Sequence, residues 1–185
     1  MKQIKTIPFI CLLLFILFSY GCDKNMMDKR NEFAATKIMK DASPAFAIQK
    51  YPGLSFTTKS ELQQARSATA KYKNIKNAIA DGYHDIHVDM ENMGHHFMRD
   101  SLVDDQFDIS HPEILVYNKD ERGIQQLVAV EYAVPLQYPE PEGFTGDGDV
   151  WDHNTGFGLW LLHGWVWDYN PDGVFKSMNP TVHLR

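Results

Sequence analysis

Cysteine is almost missing from this chain: there are two in 185 residues, Cys11 and Cys22. From residue 23 onward there is none. The folded body therefore has no disulfide to rely on and no thiolate to offer a metal. Basic side chains are in the minority, 18 against 24 acidic, giving a formal charge of −6. A chain of that sign has no electrostatic footprint for nucleic acid, and none is expected as a partner. No glycine-rich phosphate loop, no serine elbow, no internal repeat and no low-complexity tract is found. Long apolar runs are scarce too. The one at the start, Ile7 to Phe18, has 12 residues. As a helix it would reach about 18 Å, against a hydrocarbon core of about 30 Å.

What is present begins with that short run. Met1-Lys2-Gln3-Ile4-Lys5 supplies a charged start, and Ser19-Tyr20-Gly21 supplies small and polar residues before Cys22. This is the grammar of a cleaved secretory signal. A cysteine directly after Gly21 resembles the lipobox of bacterial lipoproteins, in which that cysteine is acylated and becomes the mature N-terminus. Ser19 stands where the usual lipobox has an aliphatic residue, so a plain secreted chain with a free thiol at Cys22 is the alternative. The expected organisation is a signal over 1–21, a lipidated cysteine and tether over 22–53, and a single domain over 54–185. Without Lys2 and Lys5, 16 basic residues face 24 acidic ones, a formal charge of −8. Anionic lipid would repel such a surface. Attachment to the membrane must come from acyl chains, each buried methylene contributing about 0.8 kcal/mol. The expected location is the cell envelope, on the extracytoplasmic side of a membrane.

With 44% hydrophobic residues the chain can bury a real core. A helix is marked by Thr58-Lys59-Ser60-Glu61, which reads as a capping box with Thr58 as cap. Leu62, Ala65, Ala68, Tyr72, Ile75 and Ile79 then recur at steps of three and four, and Gly82 supplies a left-handed stop. From residue 83 the period becomes two: Ile86, Val88 and Met90 alternate with polar neighbours. Strands are expected over 113–118, 125–134 and 157–169, with a long loop over 135–156. One main helix packed on an antiparallel β-sheet, a meander or a partly closed barrel, makes the expected class α+β.

Chemistry is concentrated in the strand-rich half. All eight histidines lie between 84 and 183, and all four tryptophans between 151 and 167. If Tyr117 pairs with Leu127 and Leu115 with Ala129, Glu113 falls opposite Glu131. Two carboxylates so placed persist only with a cation between them, a base beside them, or a proton on one. His163 lies in the middle of an apolar row, where an imidazole needs a partner. With His95 or His96 nearby, two imidazoles and two carboxylates suit a divalent transition metal: Zn, Mn, Fe or Ni. The readings against it are a metal-free polar site and a set of structural residues, with His163 bonded to a backbone carbonyl or a tyrosine and Glu131 exposed. Asp147-Gly148-Asp149-Val150-Trp151-Asp152 matches a calcium loop only in part, since the later glycine and bidentate glutamate are missing. Trp160, Trp165 and Trp167 suit either the core or a stacking platform for a flat ligand.

Several segments together resemble an uncharacterised family of secreted bacterial proteins. They are Ala68-Thr69-Ala70-Lys71-Tyr72, Met93-Gly94-His95-His96, Pro112-Glu113-Ile114-Leu115-Val116-Tyr117, Leu127-Val128-Ala129-Val130-Glu131-Tyr132, Leu162-His163-Gly164-Trp165-Val166-Trp167 and Asn170-Pro171-Asp172-Gly173-Val174-Phe175. They span roughly residues 60–180. The family pattern keeps the second residue after Met-Gly as histidine, which implies His96 rather than His95 as the site residue. It implies no activity.

The expectation is a metal held by His96, Glu113, Glu131 and His163, with His95, Trp165 and Trp167 shaping a pocket for a small molecule. The competing class is a non-enzymatic binding module that uses an aromatic strand face. For the anchor, mass spectrometry of the membrane fraction should find acyl chains on Cys22, and Cys22→Ser should release the protein. An unmodified thiol at Cys22 would overturn the lipoprotein reading.

Overall fold

A computed structural model describes residues 48–185. The signal, Cys22 and most of the tether lie outside the described residues. The architecture is α+β, one main helix on a curled six-stranded antiparallel sheet. The elements are α1 (Phe56–Thr69), a 3₁₀ turn (Ala70–Lys73), α2 (Ile75–Ala80), β1 (His84–Met90), β2 (Gly94–Met98), β3 (Ile114–Lys119), β4 (Gln125–Pro135), β5 (Asp152–Asn154) and β6 (Leu159–Gly164). Strand order is β1-β2-β3-β4-β6-β5, and every neighbouring pair runs antiparallel.

Local chemistry explains where the helix departs from expectation. The cap is Ser55, whose Oγ accepts from the Thr58 N–H at 3.0 Å, so α1 starts at Phe56, three residues before the start that a Thr58 cap implies. Glu61 does not reach back to the cap. It accepts instead from the backbone N–H and hydroxyl of Thr145, at 2.8 and 2.6 Å, and pins a distant loop to the helix. The single helix expected through Ile79 is broken by the 3₁₀ turn and by Asn74, which is extended and caps α2. Three residues per turn and one extended residue reset the phase of the apolar stripe. Ala78 is therefore buried and Ile79 exposed. Gly82 does stop α2, with φ at 98°.

The packed unit also begins before residue 54. Ile48 and Tyr51 belong to the core, and the Tyr51 hydroxyl accepts from the Asn170 N–H at 2.8 Å. The strand expected over 157–169 stops at Gly164. There the chain folds back, with the Val166 N–H on the Gly164 carbonyl and the Trp165 N–H on the Val174 carbonyl. The strand β5 falls inside the segment read as loop.

The two faces of the sheet differ in what covers them. One face, with Phe97, Leu115, Tyr117, Val130, Tyr132 and Leu162, packs against Leu62 and Ala65 of α1 and against Tyr72 and Ala78. The other carries a smaller cluster of Ile114, Val116, Ala129, Ala133 and Trp165. No helix covers that second face among the described residues.

Gly94 opens β2 with φ at 122°, and a Cβ there would strike the Tyr117 carbonyl oxygen on β3. Both the backbone conformation and the close approach need glycine. Gly94→Ala should cost at least about 1–3 kcal/mol in chemical denaturation. A cost below about 0.5 kcal/mol would contradict this account of the β2–β3 approach.

Candidate metal centre

Register decides which side chains meet on the uncovered face. Met98, Ile114, Glu131 and His163 form one row across β2, β3, β4 and β6, each paired with the next. His96, Val116 and Ala129 form the adjacent row. Side chains two apart on a strand share a face, so all of these project from the same side. Ala129 and Ala133 flank Glu131 along β4 and leave room for its carboxylate. The curl of the sheet then lets His96, two strands away, reach it.

Three polar groups converge. The Glu131 Oε1 is 3.2 Å from the His163 Nδ1, and the Glu131 Oε2 is 3.7 Å from the His96 Nε2. The imidazole planes are 87° apart, with centroids separated by 6.1 Å. One donor atom from each residue can be chosen so that all lie within 4.8 Å of one another. The group could hold a metal ion, and all three residues are 3–5% exposed. Among the described residues it is the sole cluster of three or more histidine, cysteine or acidic groups that does so. Two ligands about 2.0–2.2 Å from a tetrahedral ion stand about 3.3–3.6 Å apart. The two observed N···O separations bracket that range.

The backbone presets one of these ligands. The β1–β2 ladder is irregular between Asp85 and Asp89, where His87 has φ at 57°. Here the Val88 carbonyl accepts from the His96 Nδ1 at 2.8 Å. With the proton held on Nδ1, Nε2 presents its lone pair toward Glu131. On the far side, the His163 ring lies nearly parallel to the Trp165 indole, 6.1 Å away and 16° apart.

Electrostatics of the three groups by themselves favour neutral species. Burial pushes the Glu131 carboxyl up to about 8, with the charge of Asp152 adding to the effect. Burial, with His96 second, pushes His163 down to about 3, and burial also lowers His96. Among the described residues only the two imidazoles approach the Glu131 carboxyl group. The His163 Nε2 is buried with no partner. Beside the triad the wall is apolar: Met98, Ile114, Leu159 and Leu161 line a cavity of about 910 Å³ whose floor is His96, Glu131 and His163.

The other expected residues lie elsewhere. Glu113 precedes β3 and is not opposite Glu131. Val128 is an extra residue in β4, because Val116 pairs with Ala129 while Tyr117 pairs with Leu127. That bulge moves the register by one, so Ile114 faces Glu131 and Glu113 turns to the other side. There its carboxylate accepts from the Ala133 N–H at 3.0 Å. His95 points away from His96, as alternation requires, and contacts Asp89 at 2.6 Å and the Arg185 carbonyl at 3.1 Å. Trp165 is fully buried and donates to the Lys176 carbonyl at 2.5 Å. Trp167 packs on the helix side, where Arg66 lies over its ring at 3.8 Å and Thr69 accepts its N–H at 3.1 Å. The chain reversal after Gly164 takes Trp167 to the helix side, while Trp165 stays beside His163 but is not among the residues lining the cavity. Val88 acts through its carbonyl, for which no sequence signal exists. The chain matches no protein-family model, no curated protein and no solved structure.

Glu113 gives the site's surroundings a measurable signature. Burial raises its carboxyl to about 8, above the ordinary 4.5. In the unfolded chain it loses its proton near 4.5, while the folded chain keeps it. Fewer protons bound in the unfolded state means that stability falls as pH rises from about 4.5 through about 8. Glu113→Gln should flatten that part of the Tm-against-pH curve. A variant curve parallel to the wild type would show that Glu113 is already ionised in the fold.

Proposed function

We propose that this chain is a lipid-anchored extracytoplasmic protein that binds one divalent transition metal through His96, Glu131 and His163. The ion would be Zn, Mn, Fe or Ni. The observation that carries the reading is the convergence of Glu131, His96 and His163, one donor atom from each lying within 4.8 Å of the others in a buried place. A buried carboxylate without a partner costs several kcal/mol, and a cation answers it directly. Two histidines and one glutamate leave coordination positions open, as catalytic zinc and non-haem iron centres do. Those positions face the cavity. A metal there would polarise an oxygen of a bound small molecule or activate a water, which supports hydrolytic or oxidative chemistry. The aromatic-face module has less support, since Trp165 and Trp167 are both occupied by packing and hydrogen bonds.

Elemental analysis of the whole chain, purified without chelator, should find about one equivalent of metal. Re-adding the ion to chelator-treated protein should raise Tm, by about 2.7 kcal/mol of stabilisation when the free ion is a hundred times Kd. Glu131→Gln should abolish uptake, and His96→Gln or His163→Gln should weaken it sharply. A metal-free protein that gains no thermal stability from Zn, Mn, Fe or Ni would exclude the centre.

A further inference from the structure

The cavity above the triad is lined mainly by apolar side chains. Five large hydrophobic residues are exposed around the opening: Met90, Val150, Phe157, Tyr169 and Met178. Val150 is 75% exposed, Phe157 55% and Met178 51%. Single exposed apolar residues are ordinary on a surface, but five gathered at one opening mark a place where apolar matter enters. Besides Glu131, the lining side chains with formal charge are Asp152, Asp172 and Lys176, all of them exposed. The inner wall thus offers a ligand no charged partner, and its thioether side chains adapt to varied apolar shapes. A volume of about 910 Å³ lies in the upper part of the roughly 300–1,000 Å³ range of small-molecule pockets.

The floor sets the other end of the ligand. A divalent ion with one carboxylate and two neutral imidazoles carries a net single positive charge in a buried place. Uncompensated charge there is costly, and one anionic oxygen donor cancels it. Resting on the metal reading above, we propose that the cavity binds a monoanionic amphiphile. Its carboxylate-type head sits on the ion at the His96–Glu131–His163 floor, and its apolar chain runs along Met98, Ile114, Leu159 and Leu161 to the mouth.

Octanoate, octan-1-ol and acetate separate the two halves of this ligand. Each is titrated by calorimetry into the full chain loaded with zinc and into the same protein after chelation, with zinc content measured on every sample. Octanoate should bind the zinc form at least tenfold more tightly than the chelated form, and at least tenfold more tightly than acetate or octanol binds it. Phe157→Asp, a change at an exposed position, should weaken octanoate binding and leave zinc content unchanged. Acetate as tight as octanoate would remove the apolar subsite. Octanol as tight as octanoate, or octanoate indifferent to zinc, would remove the head-on-metal arrangement. In each of those cases measured zinc occupancy shows that the centre itself stands, whereas a chain that takes up no zinc under these conditions loses both the centre and the amphiphile.

Discussion

A buried carboxyl group that only two imidazoles approach among the described residues is the constraint around which this fold is arranged. Glu131 occupies the middle of β4, the strand that pairs on both sides, with β3 and β6. In that position its side chain is 3% exposed. Ionised and alone it would weigh on the fold by several kcal/mol. The molecule brings to it only two imidazoles, each held from behind. His96 is fixed by the Val88 carbonyl, and His163 by the Trp165 ring and the pairing of β6 with β4. Such an arrangement is poor as structural support and suitable as a ligand set, because each group presents a lone pair and none supplies a counter-charge.

The sheet meets this demand by treating its faces differently. The helix face is filled with Leu62, Ala65, Leu115, Tyr117, Tyr132 and Leu162 and closed by α1. The opposite face keeps alanines at 129 and 133 beside Glu131, and receives loops where a helix would otherwise lie. Curling of the strands turns this face inward. Space remains because small side chains and loops fill a concave surface less completely than a helix would.

How much of this could be read from the sequence follows from the range of each signal. Period-two alternation and the helical stripe depend on near neighbours, and they marked the α+β class, the β3–β4 hairpin and the shared face of Leu159, Leu161 and His163. Glu131 and His163 were legible as apolar-row residues that needed partners. The placement of Glu113 was not, because a single bulged residue, Val128, reverses which side of the sheet every earlier residue faces. Trp167 misled in a similar way, since the reversal at Gly164 ends an alternation that the residues alone would continue. The separation of α1 from α2 turned on Asn74 capping a new helix, a local choice that a continuous apolar stripe conceals. The Val88 carbonyl belongs to the backbone and leaves no residue-level trace.

The filled face and the hollow one are coupled through the strands they share. Leu162 and Val130, both fully buried against the helix side, are the immediate neighbours of His163 and Glu131. Gly164, which ends β6, would bring an added Cβ to 3.2 Å from Val130. Interiors packed to crystal-like density do not slide continuously; their side chains hold one position or repack. The ligands therefore inherit their spacing from contacts on the opposite side of the sheet. A centre that needs donor atoms held within fractions of an ångström obtains that precision from β-strands locked by a core it does not touch.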